Sequence, residues 1–516
     1  MQIAGFTDSS KRFVLDLKKA DTYTYSERTA AFTVQKTLNS VRREIFGDQL
    51  SWRGNGYGIY NSETDSFDCE LTERIKNCGV TGLRYPGGTQ GDYFIWHETI
   101  GKNRIPQIDP FSKEYPVEAE ISGKRIYPHF GWDEFIRFCS LTGLDAIVQL
   151  NAGNGTPKDA AELVRYCESK NLKVSSYCLG NEVNMKLKHV DGITVDKTPE
   201  EYVAFANEFF NELGDLRNRI TLGVVALPSG HALHRHPRWD ETVLKALGDK
   251  IDFVDCHYGY STYFSRPENS ENDVISCFMA SPTYIKRLIE KTKKEIEVYA
   301  PKYADRIGIQ ITEYGPLAKF SNCMPGAVFL ASLLQIMIAE PKITAGNHLP
   351  MLNHPNAPTL VGYDPRGGER HFWDNVCTYV FRWYSSQIGR EALKTHICTP
   401  YIHSENRIGL IPPIYGADAA DVAIYYGKED KRGSLFVINR SPDKNMPFEI
   451  TLPFSSVRIT GISELYSDLN SSFNGKDSPN QITPAYHSKE SDSFGGCLFV
   501  IAKPISIIKL DFEVLE

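Results

Sequence analysis

The sequence predicts an α/β chain, a (β/α)8 TIM barrel with a C-terminal all-β sandwich domain, and two observations predict it. From about residue 50 to 385 short β-branched runs alternate with longer amphipathic ones, the pattern of a parallel sheet wrapped by helices. After residue 385 the helical periodicity stops, and strand-like runs separated by Asp, Asn, Gly, Ser and Pro clusters take over. The 516 residues suit this division, being too many for one small core and enough for a barrel plus an accessory domain.

Taken in order, the opening runs RFVLDLKK and AAFTVQKTL read as strands that join the sandwich. The domain division expected is therefore 1–45 for these strands, 46–385 for the barrel and 386–516 for the sandwich. A first barrel strand falls within LSWRGNGYGIY (50–60). The following strands are VTGLRYPGG (80–88), DAIVQLNAG (145–153), VSSYCLGNE (174–182) and ITLGVVALP (220–228). The last three are IDFVDCHYGY (251–260), IGIQITEYG (307–315) and KITAGNHLP (342–350). Between them, GWDEFIRFCSLTG, PKDAAELVRYCESKN, TPEEYVAFANEFFNELGDLR and SPTYIKRLIEKTKKEIEVYA repeat apolar residues at three- and four-residue spacing, as amphipathic helices do. A doubly wound open sheet is the rival architecture, but GNGYG lacks the spacing of a phosphate-binding glycine loop. In the tail, DVAIYYG, GSLFVINRS, FEITLP, SVRITGI and PISIIKLDFEV supply the sandwich strands.

Composition narrows the function. The net charge of -7 comes from 57 basic and 64 acidic residues with no basic run, which argues against nucleic acid as a partner. Eleven cysteines without a C-x-x-C pair read as reduced, buried thiols rather than a disulfide framework or a zinc site. The amino terminus lacks a signal pattern, and the most apolar run, GAVFLASLLQIMIAE (326–340), is too short to span a bilayer. The expectation is a soluble protein with no membrane partner, cytoplasmic if the start is the natural one and secreted if a leader was removed.

The strand ends carry the chemistry. Glu182 closes the fourth strand and Glu313 the seventh, so in a closed barrel both carboxylates point into one mouth. Either glutamate alone reads equally well as half of a salt bridge to a barrel Lys or Arg. Two of them facing one cavity are what glycosidic bond cleavage requires, one protonated to serve the leaving oxygen and one ionised to attack or to activate water. No cofactor and no metal is needed for that reaction. His231, His234 and His236 in GHALHRHPRW form a tempting cluster, but a metal site there lacks a fourth ligand and a pocket-lining or solvated loop is the plainer reading.

With their neighbours these residues resemble a clan-A retaining glycoside hydrolase. The overall pattern is most similar to glycoside hydrolase family 51, the arabinofuranosidase and endoglucanase family, through GLRYPGG, GWDEFIRFC, QLNAGNG, LGNEVN, FVDCHYGY, ITEYG, CTYVFRWYSSQIG and LFVINRS. The resemblance implies Glu182 as acid/base and Glu313 as nucleophile. It implies Asn181 on the sugar 2-hydroxyl, Arg84 under the nucleophile, and His257 with Tyr258 or Tyr260 on the same floor. Asn151, Trp96 and His348 complete the expected substrate-binding set, Trp96 as a sugar-stacking platform. An oligosaccharide or polysaccharide is the implied partner, and a homo-oligomer the implied assembly.

The chain departs from the family 51 pattern at three sugar-contacting positions, with Thr89 for Asn, Ser51 for Glu and Pro350 for Gln. The stretches GGTQGDYFIW, GLDAIVQLNA, LVRYCESK and AGNHL also resemble glycoside hydrolase family 79, the β-glucuronidase and heparanase family, for whose uronic-acid substrates His348, Lys186 or Arg235 would serve. The function expected is thus an α-L-arabinofuranosidase-like retaining hydrolase. An endo-β-glucanase, a xylanase or a β-glucuronidase of the same clan is the alternative, and a catalytically silent carbohydrate-binding protein is the alternative of another class.

Overall fold

The computed structural model describes residues 12–14, 28–111, 124–184, 189–190, 192–228, 235–261, 268–317, 320–349, 352–353, 359–364, 370–487 and 496–515. Eight parallel strands close a barrel: β1 (Gly47–Gln49), β2 (Gly82–Tyr85), β3 (Asp145–Leu150), β4 (Val174–Leu179), β5 (Leu222–Val225), β6 (Phe253–Asp255), β7 (Gly308–Gly315) and β8 (Ile343–His348). Each pairs with its sequence neighbour, β6 pairs with β7 through Phe253 and Gly308, and β8 closes the ring onto β1 through Asn347 and Gly47. Nearly every strand residue is buried, because helices cover the outer face and side chains fill the interior.

The helices are α1 (Cys69–Asn77), α2 (Trp132–Thr142), α3 (Pro157–Ser169), α4 (Pro199–Leu213), α5 (Trp239–Leu247), α6 (Glu271–Tyr299), α7 (Met324–Ala339) and α8 (Val376–Ser385). Their starts follow from local chemistry. Thr156 and Thr198 accept from the backbone N–H three residues on, Asp159 and Glu201 reach back, and Pro157 and Pro199 occupy a first-turn position where no N–H is needed. Asp68 and Ser270 cap α1 and α6 in the same way.

One expectation is corrected. The first strand lies at Gly47–Gln49, before the predicted 50–60 window, since Gly54, Asn55, Gly56 and Tyr57 all take positive φ and coil the chain into a tight left-handed turn. The apolar run at 326–340 belongs to α7, whose residues are buried on nearly every side because it lies between the barrel and the second sheet. No described helix is long and apolar enough to cross a membrane.

Among the described residues that second sheet has ten strands, and Thr29–Ser40 lies inside it, between Glu391–Cys398 and Met446–Thr451. It encloses its own core of Phe448, Ile450, Leu498, Val500, Leu435, Val437, Ile508 and Leu510. Ser332 on α7 donates to Asp421 at 2.7 Å, and Arg440 from the sheet donates to the Met279 carbonyl of α6 at 3.0 Å, so polar contacts as well as α7 bind sheet to barrel.

Candidate active site

The carboxyl ends of β2, β4, β6 and β7 bring together one constellation. Arg84, fully buried near the end of β2, donates from one guanidinium nitrogen to Glu313 Oε1 at 2.9 Å and from another to Asn181 Oδ1 at 2.8 Å. Beyond Arg84 the chain passes the cis Tyr85–Pro86 peptide to Gly88, where an added Cβ would stand 2.9 Å from Glu313 Oε1. Glu313 itself sits on β7, 6% exposed, and its second oxygen accepts from the Tyr260 hydroxyl.

Glu182 leaves β4 by a sharp turn, with Gly180 at φ +91° and Glu182 itself at φ +51°. A left-handed conformation is uncommon for glutamate and is held here by the surroundings. The Asp92 carboxylate fixes the turn by accepting from the Asn181 backbone N–H at 3.1 Å. His257, just past β6, contacts Glu182 Oε1 through Nδ1 at 3.0 Å and Thr312 Oγ1 through Nε2 at 2.8 Å. The same Nδ1 is 3.5 Å from Glu313 Oε2.

Glu182, Glu313 and His257 therefore each place one polar atom within 4.8 Å of the other two. Such spacing would suit a metal ion, but the partners argue otherwise. Arg84 and Tyr260 already donate to the two oxygens of Glu313, and a cation in the same space would face the Arg84 guanidinium. Burial disfavours charge on His257, yet the charges of Glu313 and Asp255, with hydrogen bonds to Asp255 and Glu182, push it up to about 10. Asp255 is held below the usual carboxylate range despite burial, by the charge and hydrogen bond of His257 and the charge of Arg84.

Of the residues expected from sequence, the structure brings Glu182, Glu313, Arg84, Asn181, His257 and Tyr260 together. Four others are turned elsewhere. Tyr258 points outward, its hydroxyl 3.2 Å from Thr292 on α6. His348 packs edge-on between Tyr314 and Phe381, the latter on α8, 3.7 Å from Asp48, in the layer between barrel and helices. Asn151 spends its amide on its own loop, accepting from Gly153, Asn154 and Gly155 and donating to Phe94 and Asn154. Trp96 donates to the Asp159 carbonyl at 2.9 Å and packs on Tyr166, which makes it part of the α3 packing rather than a free platform. With Phe94 and Leu163, Trp96 and Asn151 line a void of only about 10 Å³, room for about one water.

Of the secondary candidates, Arg235 is paired with Asp196, and His236 stacks loosely on Trp239. Lys186, His231, His234 and Pro350 lie outside the described residues. Ser51 is fully buried and accepts from Gln90 at 2.9 Å, so a small hydroxyl and an amide stand where the family pattern has a carboxylate. Sequence reasoning missed Asp255, Thr312 and Asp92. The signal for Asp255 was available, since a carboxylate inside the apolar run FVDC must have a buried partner.

Comparison with known proteins shows likeness in sequence and in fold. The family model described as the alpha-L-arabinofuranosidase 1 domain matches residues 74–192. An intracellular exo-alpha-(1->5)-L-arabinofuranosidase of Acetivibrio thermocellus is 25% identical over 305 residues, which are 52% of this chain and 57% of that protein. The chain thus spans a little over half of that relative. One of the same name from Bifidobacterium longum is 21% identical over 88% of this chain and 86% of its own length. Among solved structures, the alpha-L-arabinofuranosidase of Thermotoga maritima superposes with a TM-score of 0.77 at 19% identity, over 94% of this chain and all of that one. Family model, relatives and fold thus agree in making the chain similar to alpha-L-arabinofuranosidases.

Proposed function

We propose that the protein is a retaining glycoside hydrolase acting on oligosaccharides or polysaccharides, with Glu313 as nucleophile and Glu182 as acid/base. The observation that carries this reading is the approach of the two carboxylates, with an oxygen of each within 4.8 Å across the mouth of the barrel. Retaining enzymes hold the pair about 5 to 5.5 Å apart, whereas inverting ones leave room for a water between them at about 6.5 to 9.5 Å.

In the first step Glu313 Oε attacks the anomeric carbon while Glu182 gives its proton to the leaving oxygen. In the second, Glu182 takes a proton from water, which attacks the same carbon and releases Glu313. Arg84 orients Glu313, donating to its Oε1 at 2.9 Å. It also holds Asn181 by its Oδ1, leaving the amide N–H₂ to donate to the sugar 2-hydroxyl. Tyr260 fixes the other oxygen of Glu313.

For the sugar we propose an α-L-arabinofuranoside, supported by the names of the relatives. Ser51 and Thr89 are where that preference would be altered, because they replace groups that would grip the sugar. The division at residues 45 and 385 is likewise proposed, supported by the pairing of Thr29–Ser40 with the second sheet. A cytoplasmic location rests on the relatives named intracellular.

The test is a panel of 4-nitrophenyl α-L-arabinofuranoside, β-D-glucoside, β-D-xyloside and β-D-glucuronide, together with arabinan and β-glucan, offered to wild type and Glu313→Ala. Turnover by the wild type that Glu313→Ala loses, with retention of anomeric configuration by NMR, supports the proposal. Binding of a polysaccharide without turnover of any would establish the silent carbohydrate-binding alternative instead.

A further inference from the structure

Among the described residues His257 is a basic side chain that touches Glu182 and lies beside Glu313, so its charge bears on both. Hydrogen-bond direction fixes one ring proton and, while Glu182 is ionised, the second as well. The Thr312 hydroxyl has one proton, and it is spent on Asp255 Oδ1. A carboxylate oxygen only accepts, and Asp255 Oδ2 is itself taken by the Cys178 thiol at 2.7 Å. Thr312 Oγ1 can therefore only accept from His257 Nε2, 2.8 Å away, which puts a proton on that nitrogen. On the other side Nδ1 faces Glu182 Oε1 at 3.0 Å, and a carboxylate there requires a second proton.

We propose that Asp255, both directly, with Oδ2 3.5 Å from His257 Nε2, and through Thr312, is a positioning residue that holds His257 doubly protonated and so keeps Glu182 a stronger acid than an isolated buried glutamate. This rests on the reading of Glu182 as acid/base. Asp255 is 1% exposed and acts on Glu182 through the ring, while its charge also faces Arg84. The groups that face the ring are Glu182 past the end of β4, Thr312 and Glu313 on β7, and Asp255 on β6. Around these stand Cys178 from β4, Arg84 from β2 and Tyr260.

Asp255 therefore supplies a countercharge outside the reaction path. Without it, a charged ring would depend on Glu182 and Glu313, whose own charges change during the two steps. With it, the ring keeps its proton when Glu182 is protonated and when Glu313 is consumed in the glycosyl-enzyme. The Nδ1–H donates to Glu182 throughout, which favours its ionised form and makes it quicker to release its proton.

The experiment measures the ring directly and the reaction separately. With ¹⁵N-histidine labelling, and His257→Gln to assign the signal, both ring nitrogens of the wild type are expected to stay protonated to pH 8. In Asp255→Asn the ring is expected to lose a proton below pH 8. The alkaline limb of kcat/KM, which reports the protonated acid, should then move up by about one pH unit or more as Glu182 loses its cation. Thr312→Val should shift both readouts the same way and Thr312→Ser should restore them, which a purely structural role would not do.

Titration of the wild-type ring near the ordinary histidine value of about 6.5 overturns the proposal. So does an Asp255→Asn protein whose ring and pH limb match wild type. If Asp255→Asn fails to fold by circular dichroism, the Thr312 pair decides by the same criteria. The nitrogen spectra need no substrate, so absence of any glycosidase activity would refute the functional reading while the ring titration still decides the role of Asp255.

Discussion

Gly88→Ala tests how tightly the nucleophile is held. The added Cβ would stand 2.9 Å from Glu313 Oε1 and 3.8 Å from Asn181 Oδ1, against an ordinary contact of 3.4 Å or more. Something must move by about 0.5 Å. Glu313 is the nearest group, and it is buried and pinned on both oxygens, by Arg84 at 2.9 Å and by Tyr260. A misplacement of about 1 Å at a reacting atom costs ~100-fold in rate, so half of that predicts a loss of roughly 10- to 100-fold in kcat. That range corresponds to about 1.4 to 2.7 kcal/mol of barrier. The assay is kcat and KM on the glycoside identified by the substrate panel, with Tm by calorimetry as the folding check. A modest fall in stability, about 1 to 3 kcal/mol, accompanies overpacking of this kind. The reasoning is refuted if the variant folds and its kcat stays within about threefold of wild type, for then either Glu313 is not positioned by this contact or its position does not matter.

Two further outcomes follow from the geometry. Tyr260→Phe removes a hydroxyl donor from Glu313 and is expected to lower kcat by roughly 10-fold or more, while Tyr258→Phe, which loses contacts with Thr292 and Cys256 away from the carboxylates, should cost about 1 kcal/mol of stability with kcat within about twofold; equal kinetic effects would refute the assignment of the two tyrosines. Asp240 is held well above the usual carboxylate range by burial, against the Leu227 N–H that lowers it and with the Glu295 charge raising it further. A raised folded-state value means that its contribution to stability is complete below the unfolded value near 3.8 and is lost as pH rises through the folded one. Asp240→Asn cannot ionise, so thermal melts from pH 5 to 9 should show it gaining on wild type toward alkaline pH, and parallel curves would refute the buried-carboxylate account.

Much of this molecule was legible in the chain. Seven of the eight barrel strands fall within windows predicted from short β-branched runs, because burial on both faces of a parallel strand demands apolar residues without interruption. Glu182 and Glu313 were legible for the complementary reason, as carboxylates at the ends of strands too apolar to carry them elsewhere. The first strand was missed because its three residues, Gly47–Gln49, include an acid and an amide, and nothing local distinguishes them from the coil that follows.

Direction was decided only by the tertiary structure. Tyr258 and Tyr260 are two residues apart and equally aromatic, yet the bend after β6 sends one hydroxyl to α6 and the other to Glu313. His348 ends a strand as His257 follows one, but its ring goes outward to Phe381. Sequence determined which residues could meet at the mouth of a barrel, since hydrophobic period and strand-end position are local properties. Which of them do meet, and that Asp255 and Thr312 stand behind His257, depended on strand pairing and pleat, which bring together β4, β6 and β7 from distant parts of the chain.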